Sequence, residues 1–222
     1  MWKDLLKLLK KGTLLDQSFE QSLAMFDILI EMLENGIQYL YDSNEIEEEK
    51  IYEMDKRINL LEQKVRRNIY NHLLLNPSES LYMSLVLTHL IIDLERVGDY
   101  IKNIIELRTL KGDKLNFHSY QEELHQIEEK VLNLIKETKQ ALANHDEKLA
   151  MEIQKKYYDI IRLCDQRDEE FVKADLDIPT SDVAALTLYY RYFKRIYSHL
   201  TNVASAIANP YDRIGFHPQD IL

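Results

Sequence analysis

The chain is poor in everything that punctuates short secondary structure. Its 222 residues include only 5 glycines and 4 prolines, roughly a third of the ~12% that average usage would supply. Sheets joined by many tight turns need more of both, and so do the glycine-rich loops that cradle phosphate groups. Long helices need neither. The single cysteine, Cys164, excludes an internal disulfide and any multi-cysteine zinc or iron–sulfur centre, and it fits a reducing compartment. No run approaches the ~18 uninterrupted apolar residues of a membrane span; the most apolar, Leu85 to Ile92, is short and contains Thr88 and His89. A secretion signal needs a clean apolar block, whereas the opening residues interleave Lys3, Asp4, Lys7, Lys10 and Lys11 with their leucines. Positive charge is scarce as well: 28 Lys+Arg against 38 Asp+Glu leave a formal charge of −10. Sequence-blind nucleic-acid binding rests on Lys and Arg neutralising phosphates, so this balance argues against it. Together these absences describe an expected soluble, cytoplasmic protein that binds no nucleic acid.

What the chain does have is apolar periodicity. Apolar residues make up 45% of it and charged residues 30%, enough for a sizeable core. Ile51, Met54, Ile58, Leu61, Val65 and Ile69 recur at three- and four-residue steps, one stripe of a helix. Met83, Leu87, Leu90, Leu94, Val97, Ile101 and Ile104 do the same over 79–109, and Leu23, Phe26, Ile30, Leu33 and Ile37 over 17–41. Segments 117–143, 146–176 and 182–208 complete six predicted helices. Asp16, Ser78 and Ser181 stand at candidate N-caps, and Pro77 and Pro179 block the helices before them. Gly36 falls inside the first helix, where a kink is expected. A helix of about 30 residues is ~45 Å long and needs neighbours alongside it, so an up-down bundle follows.

The bundle is doubled. Thr88 to Asn103 aligns without a gap on Thr187 to Asn202, an offset of 99, with Thr88/Thr187, Arg96/Arg195 and Asn103/Asn202 identical and the apolar stripe in phase. The expected fold is therefore all-α: six long helices as two tandem three-helix bundles. Its parts are a short amphipathic N-terminal segment (1–12), a first repeat (13–112), a degenerate second repeat (113–209) and a C-terminal tail (210–222) expected to be ordered and non-helical.

One constellation suggests chemistry. Glu95 and Asp99 are four apart and share a helix face with Thr88, Ile92 and Asn103. On the second helix Asp55, Asn59, Glu62 and Arg66 form a similar face. Antiparallel packing of the two helices sets Asp55 and Asn59 opposite Glu95 and Asp99, three carboxylates and an amide. Such hard oxygen ligands suit iron, manganese, magnesium or calcium. Clustered carboxylates repel, so a cation or raised pKa values must hold them there. Acidic residues at this spacing also line ordinary solvated faces, and Arg66, Arg96 or Lys102 can neutralise them without any metal.

Glu95-Arg96-Val97-Gly98-Asp99-Tyr100, followed by Asn103-Ile104-Ile105-Glu106, resembles the acidic helix motif of the PhoU family, and Asp55 to Asn59 resembles that family's other acidic motif. The six-helix, two-repeat layout is similar over about residues 16–210. The resemblance implies a non-enzymatic cytoplasmic regulator of phosphate uptake or of the phosphate-starvation response, with a phosphate transporter or a sensor histidine kinase as partner. It also implies iron or another divalent metal held by the paired acidic motifs, here Asp55, Asn59, Glu95 and Asp99. Two departures stand out. Position 59 is Asn where the motif has an acid, and in the second repeat Lys194 and Ser198 replace Glu95 and Asp99. An ammonium has no lone pair to give a metal, so Lys194 is expected to stand in for a cation and pair with a fifth-helix aspartate, Asp165 before Asp159 or Asp168. Two other readings stay open: a metal-dependent enzyme using Asp55, Glu95 and Asp99, and a metal-free helical adaptor.

The remaining signals are weak. Glu122 and His125 make one Glu-x-x-His, where di-iron bundles need two. His89 and Asp93 read as a helix-face pair, and Cys164 as a buried small apolar residue. Tyr189, Tyr190, Tyr192, Phe193 and Tyr197, interleaved with Arg191, Lys194 and Arg195, read as packing between bundles rather than a base-stacking platform. Trp2 to Lys11, basic and amphipathic, suits packing on the bundle or peripheral contact with an anionic membrane. A homodimer through helix faces is compatible with the pattern.

Overall fold

The computed structural model describes residues 12–41, 48–75, 80–112, 114–156, 158–173 and 176–216. Its helices are α1 (Leu14–Tyr41), α2 (Glu48–Leu75), α3 (Leu81–Lys111), α4 (Gln121–Asn144), α5 (Glu147–Lys156), α6 (Tyr158–Lys173) and α7 (Thr180–Ala208). α5 and α6 lie on either side of position 157 and together fill the place of the fifth predicted helix. Two 3-10 turns, His118–Tyr120 and Tyr211–Arg213, complete the elements, and there is no strand among the described residues. The six-helix expectation holds. The amphipathic segment before Gly12 lies outside the described residues, and the tail, expected to be non-helical, opens on the Tyr211–Arg213 turn.

Local chemistry sets the helix ends, at some positions other than those expected. Thr13, not Asp16, caps α1: its Oγ1 accepts the Asp16 N–H at 3.1 Å while the Asp16 carboxylate accepts the Gly12 N–H at 2.9 Å, which satisfies two donors that the first turn leaves open. α3 opens after Ser80, Pro77 and Ser78 lying outside the described residues, and α7 opens after Pro179 rather than Ser181, neither with a side-chain cap bond. Gly112 at φ 71° closes α3, and its N–H returns to Arg108 O and Thr109 O, the left-handed stop that glycine allows. Gly36 does not interrupt α1. It packs closely against α3, where an added Cβ would lie 2.7 Å from Ile105 Cδ1.

The apolar stripes dictate the packing. α1, α2 and α3 form one bundle, and α4, α5, α6 and α7 the other. The bundles join along the pairs α3–α7 and α1–α4, which leaves α2 and α5–α6 on the two flanks. Both pairs are antiparallel. Lys111, at the end of α3, meets Asp182 at the start of α7, and Tyr82, near the start of α3, meets Asn209 at the end of α7; Lys136 of α4 bonds Glu34 of α1 at 3.0 Å. The offset of 99 holds across all three helix pairs: buried Met25, Ile28 and Met32 correspond to Leu124, Ile127 and Val131; Ile51, Met54 and Val65 to Ala150, Ile153 and Cys164; Leu87, Leu90, Leu94 and Ile101 to Leu186, Tyr189, Phe193 and Leu200. The α7 aromatics are packing residues, with Tyr189, Tyr190, Phe193 and Tyr197 fully buried. Tyr192 faces Tyr100 across the repeat boundary, ring centroids 6.0 Å apart.

Polar groups at this boundary are paired. Glu128 of α4, 3% exposed, stands where the first repeat has Leu29. Its Oε1 accepts the hydroxyls of Tyr41 at 2.8 Å and Tyr189 at 2.5 Å, and its Oε2 lies 3.1 Å from His125 Nδ1. His125 is therefore half-exposed beside an inter-repeat carboxylate rather than one half of a di-iron motif. Asp93 accepts from His199 at 2.8 Å and from Asn202 at 3.3 Å, with His89 Nε2 at 3.3 Å from its other oxygen. Asp182 is bonded by Lys111 and by His118, the latter at 2.7 Å, which fastens the inter-repeat linker to the start of α7.

Two stability predictions follow from these pairs. Glu128→Ala strands two tyrosine hydroxyls and is expected to cost about 2–4 kcal/mol, whereas Glu128→Gln keeps an acceptor and stays within about 1 kcal/mol of wild type; urea unfolding separates them. The Lys111 hydrogen bond, helped by His118 and opposed by burial, holds the Asp182 carboxyl below the usual carboxylate range. Its folded pKa is thus below its unfolded one, so its stabilisation is complete above about pH 4 and is lost as pH falls through the folded value. Asp182→Asn is expected to lower stability at pH 7 by about 1–3 kcal/mol, with the gap closing below about pH 4 in acid titrations of the two proteins.

Candidate functional site

The seam between α2 and α3 holds the four residues singled out by the sequence. The helices run antiparallel, and Gly98 sets how close they lie: a Cβ there would come within 3.0 Å of Ile58 Cδ1. Cross-helix bonds mark the register. Thr109 donates to Glu48 at 2.9 Å, Tyr52 to Glu106 at 2.9 Å and Lys102 to Asp55 at 3.1 Å. The predicted juxtaposition therefore exists. Asp55 and Asn59 face the stretch of α3 that carries Glu95, Asp99 and Lys102.

What lies at the centre of the seam is a side-chain ammonium. Lys102 Nζ is 3.1 Å from Asp55 Oδ2 and 3.1 Å from Asp99 Oδ1, so it bridges the two helices. Arg96 reaches the other Asp99 oxygen at 3.1 Å and lies 3.5 Å from Glu95 Oε2. Asn59 turns its amide N–H, not its carbonyl, toward Asp55 Oδ2 at 3.4 Å. Glu62 is paired with Arg66 at 2.5 Å. The site chemistry is that of a salt-bridge network: the lone pairs of Asp55 and Asp99 that would face a metal face hydrogen-bond donors instead. Among the described residues no group of three or more His, Cys, Asp or Glu side chains is disposed to hold a metal ion. Asp55 and Asp99 are brought together through Lys102, with Asn59 on Asp55 and Arg96 between Asp99 and Glu95, and as arranged the four do not fit a metal centre.

Electrostatics agree with this arrangement. Burial lowers the Lys102 pKa, but the hydrogen bonds that it donates to Asp55 and Asp99 outweigh this and raise the ammonium above its ordinary value. Burial first, and the neighbouring Asp99 charge second, push the Glu95 carboxyl upward, with Arg96 opposing and Glu62 and Asp55 adding to the rise.

The second repeat shows the same seam without its acids. Ninety-nine residues on, Asp55, Asn59, Asp99 and Lys102 become Gln154, Tyr158, Ser198 and Thr201. Glu95 becomes Lys194, which forms an ion pair with Asp165, the expected partner; Asp165 corresponds to Arg66, so both positions carry the opposite charge to repeat one. Asp168 lies 3.7 Å from Arg191 and Asp159 3.0 Å from Lys130. Sequence reasoning missed the larger network nearby, in which Glu123 accepts two Arg167 N–H groups at 2.8 and 2.7 Å and the Tyr190 hydroxyl at 2.6 Å. Arg167 holds the Glu123 carboxyl below its ordinary value. Cys164 is buried as expected, and burial pushes its thiol up to about 12, so it stays protonated.

Exposure ranks the two lysine pairs. The Lys102 and Asp55 side chains are 20% and 12% exposed, those of Lys194 and Asp165 28% and 52%. Double-mutant cycles in urea are expected to give about 1–3 kcal/mol of coupling for Asp55–Lys102 and under about 1 kcal/mol for Asp165–Lys194.

Known proteins share this architecture. Among the solved structures, PhoU from Pseudomonas aeruginosa superposes with a TM-score of 0.78 at 20% identity, over 87% of this chain and 95% of that one. The phosphate transport system regulatory protein PhoU from Streptococcus pneumoniae superposes with a TM-score of 0.76 at 18% identity, over 87% and 92%. No curated protein sequence matches the chain significantly. The PhoU domain matches twice, at residues 23–107 and 124–207, once on each bundle, and so the chain belongs to the PhoU domain family.

Proposed function

We propose that this chain is a non-enzymatic regulator of phosphate transport or of phosphate-starvation signalling, and that it acts by docking on a phosphate transporter or on a sensor histidine kinase. The observation that supports this most is the pair of PhoU domains, which together account for most of the chain. The architecture suits a binding role: long antiparallel helices present grooves and ridges that other helices can enter. No helix among the described residues is long and apolar enough to cross a membrane.

A catalytic role has less support. Metal-assisted hydrolysis needs an open coordination position, and in the α2–α3 seam both Asp99 oxygens and Asp55 Oδ2 already face Lys102 or Arg96. The regulator is tested in cells grown with ample phosphate. Tagged protein is expected to co-purify with a transporter subunit or a sensor kinase, and deletion of its gene is expected to raise phosphate uptake or release the starvation response. Unchanged uptake and response in the deletion strain, with neither partner class recovered, would overturn the proposal.

A further inference from the structure

We infer that Lys102 is a tethered cation that holds the α2–α3 seam in place of a metal ion, so that the first repeat is closed by its own side chain and takes up no metal. The inference stands on the geometry of the seam and does not depend on the regulatory reading above.

Three observations carry it. First, the ammonium occupies the point where carboxylates from the two helices converge, equidistant at 3.1 Å from Asp55 and Asp99. It hangs from α3 on a four-carbon stem, so it stays at the seam whatever the solution contains. Second, most of the charge is already compensated. Asp55, Glu95 and Asp99 contribute three negative charges when ionised; Lys102 and Arg96 return two, and Glu62 has its own arginine. A divalent ion brought to Asp55 and Asp99 would have to displace Lys102 while standing beside it and Arg96, a like-charge contact that the present arrangement avoids. Third, the other bundle reaches the same solution from a different position. Lys194 replaces Glu95 and pairs with Asp165, while Gln154, Tyr158 and Ser198 remove the carboxylates that a metal would need. Both repeats thus set a lysine of the third helix against a carboxylate of the second, Lys102 in one and Lys194 in the other, the latter pair the more exposed.

The test uses the full chain, purified without a metal-binding tag, with manganese(II) as the probe. Wild type is expected to carry no stoichiometric metal, and its melting temperature is expected to stay the same in millimolar manganese and in chelator. Lys102→Ala leaves the carboxylates uncompensated. It is expected to melt several degrees lower and to recover with manganese, with saturable binding in equilibrium dialysis, while Lys102→Arg keeps the wild-type behaviour. Stoichiometric manganese or iron in wild type that disappears in Glu95→Ala/Asp99→Ala would overturn the inference, and so would a Lys102→Ala protein as stable as wild type and indifferent to manganese. If Lys102→Ala does not fold without metal, the variant Lys102→Met/Asp99→Asn, which removes one carboxylate along with the ammonium, decides: a melting temperature near wild type supports the inference, and a failure to recover overturns it.

Discussion

A carboxylate set against an apolar core must find a positive charge or a hydrogen-bond donor within reach, because leaving it unpaired costs several kcal/mol. This constraint organises the interior of the protein. A chain with 38 acidic and 28 basic residues cannot pair every acid, and it spends its cations where burial makes them necessary. Asp182 takes Lys111 and His118. Asp93 takes His199. Glu123 takes Arg167. Asp55 and Asp99 share Lys102. Glu128 relies instead on two tyrosine hydroxyls and His125. These pairs fall at helix–helix boundaries, where they fix register in a way that sliding leucines and isoleucines cannot.

The duplication explains where the pairs sit. Two copies of one three-helix unit share the apolar skeleton at an offset of 99, and the skeleton has drifted little: Leu90 and Tyr189, Val97 and Ile196, Ile101 and Leu200 all remain apolar and buried. The polar positions have drifted freely. Leu29 corresponds to the buried Glu128, and Asp93 to Tyr192. Tyr100 corresponds to His199, and the two stack with centroids 5.7 Å apart. Equivalent positions of the two copies thus face each other across the boundary with different chemistry. Once two copies of a unit pack through the same helices, selection for a specific interface favours unlike partners, hydrogen-bonded or charge-matched, over two copies of one residue.

Much of the fold was legible in the sequence because it depends on periodicity, and three- and four-residue apolar spacing has few other readings. The offset of 99 was visible on the third helices, where Thr88, Arg96 and Asn103 have identical counterparts. On the second helices only buried positions retain the relation, so the counterparts of Asp55 and Asn59 emerged once burial was known. The candidate site was half legible. Helical spacing places Glu95 and Asp99 on one face and antiparallel packing brings them to Asp55. Whether a metal or a lysine stands between them depends on side-chain reach, since Lys102 shares a face with Asp99 and Asp55 lies within its length. Inter-repeat partners such as Asp93 and His199 leave no local signal, because residues 106 apart in sequence meet only after both bundles have formed.

A cation that is part of the chain differs in one consequential way from a cation that binds. A bound ion stabilises its site according to its free concentration, so a bundle held by metal loosens as metal becomes scarce. A tethered ammonium has no such dependence, and a raised pKa keeps it charged across the physiological range. The seam of the first repeat therefore stays closed while metal supply varies. Any signal the protein transmits must then enter elsewhere, and the arrangement of the bundles limits where. α1, α3, α4 and α7 spend their faces on each other, which leaves the flanking α2 and α5–α6 as the helices with most outward surface. α2 in particular carries Leu60, Tyr70, Leu74 and Leu75 largely exposed. A partner that bears on α2 from outside would press on a helix whose inner side is fastened to α3 by Asp55–Lys102, Tyr52–Glu106 and Thr109–Glu48 together.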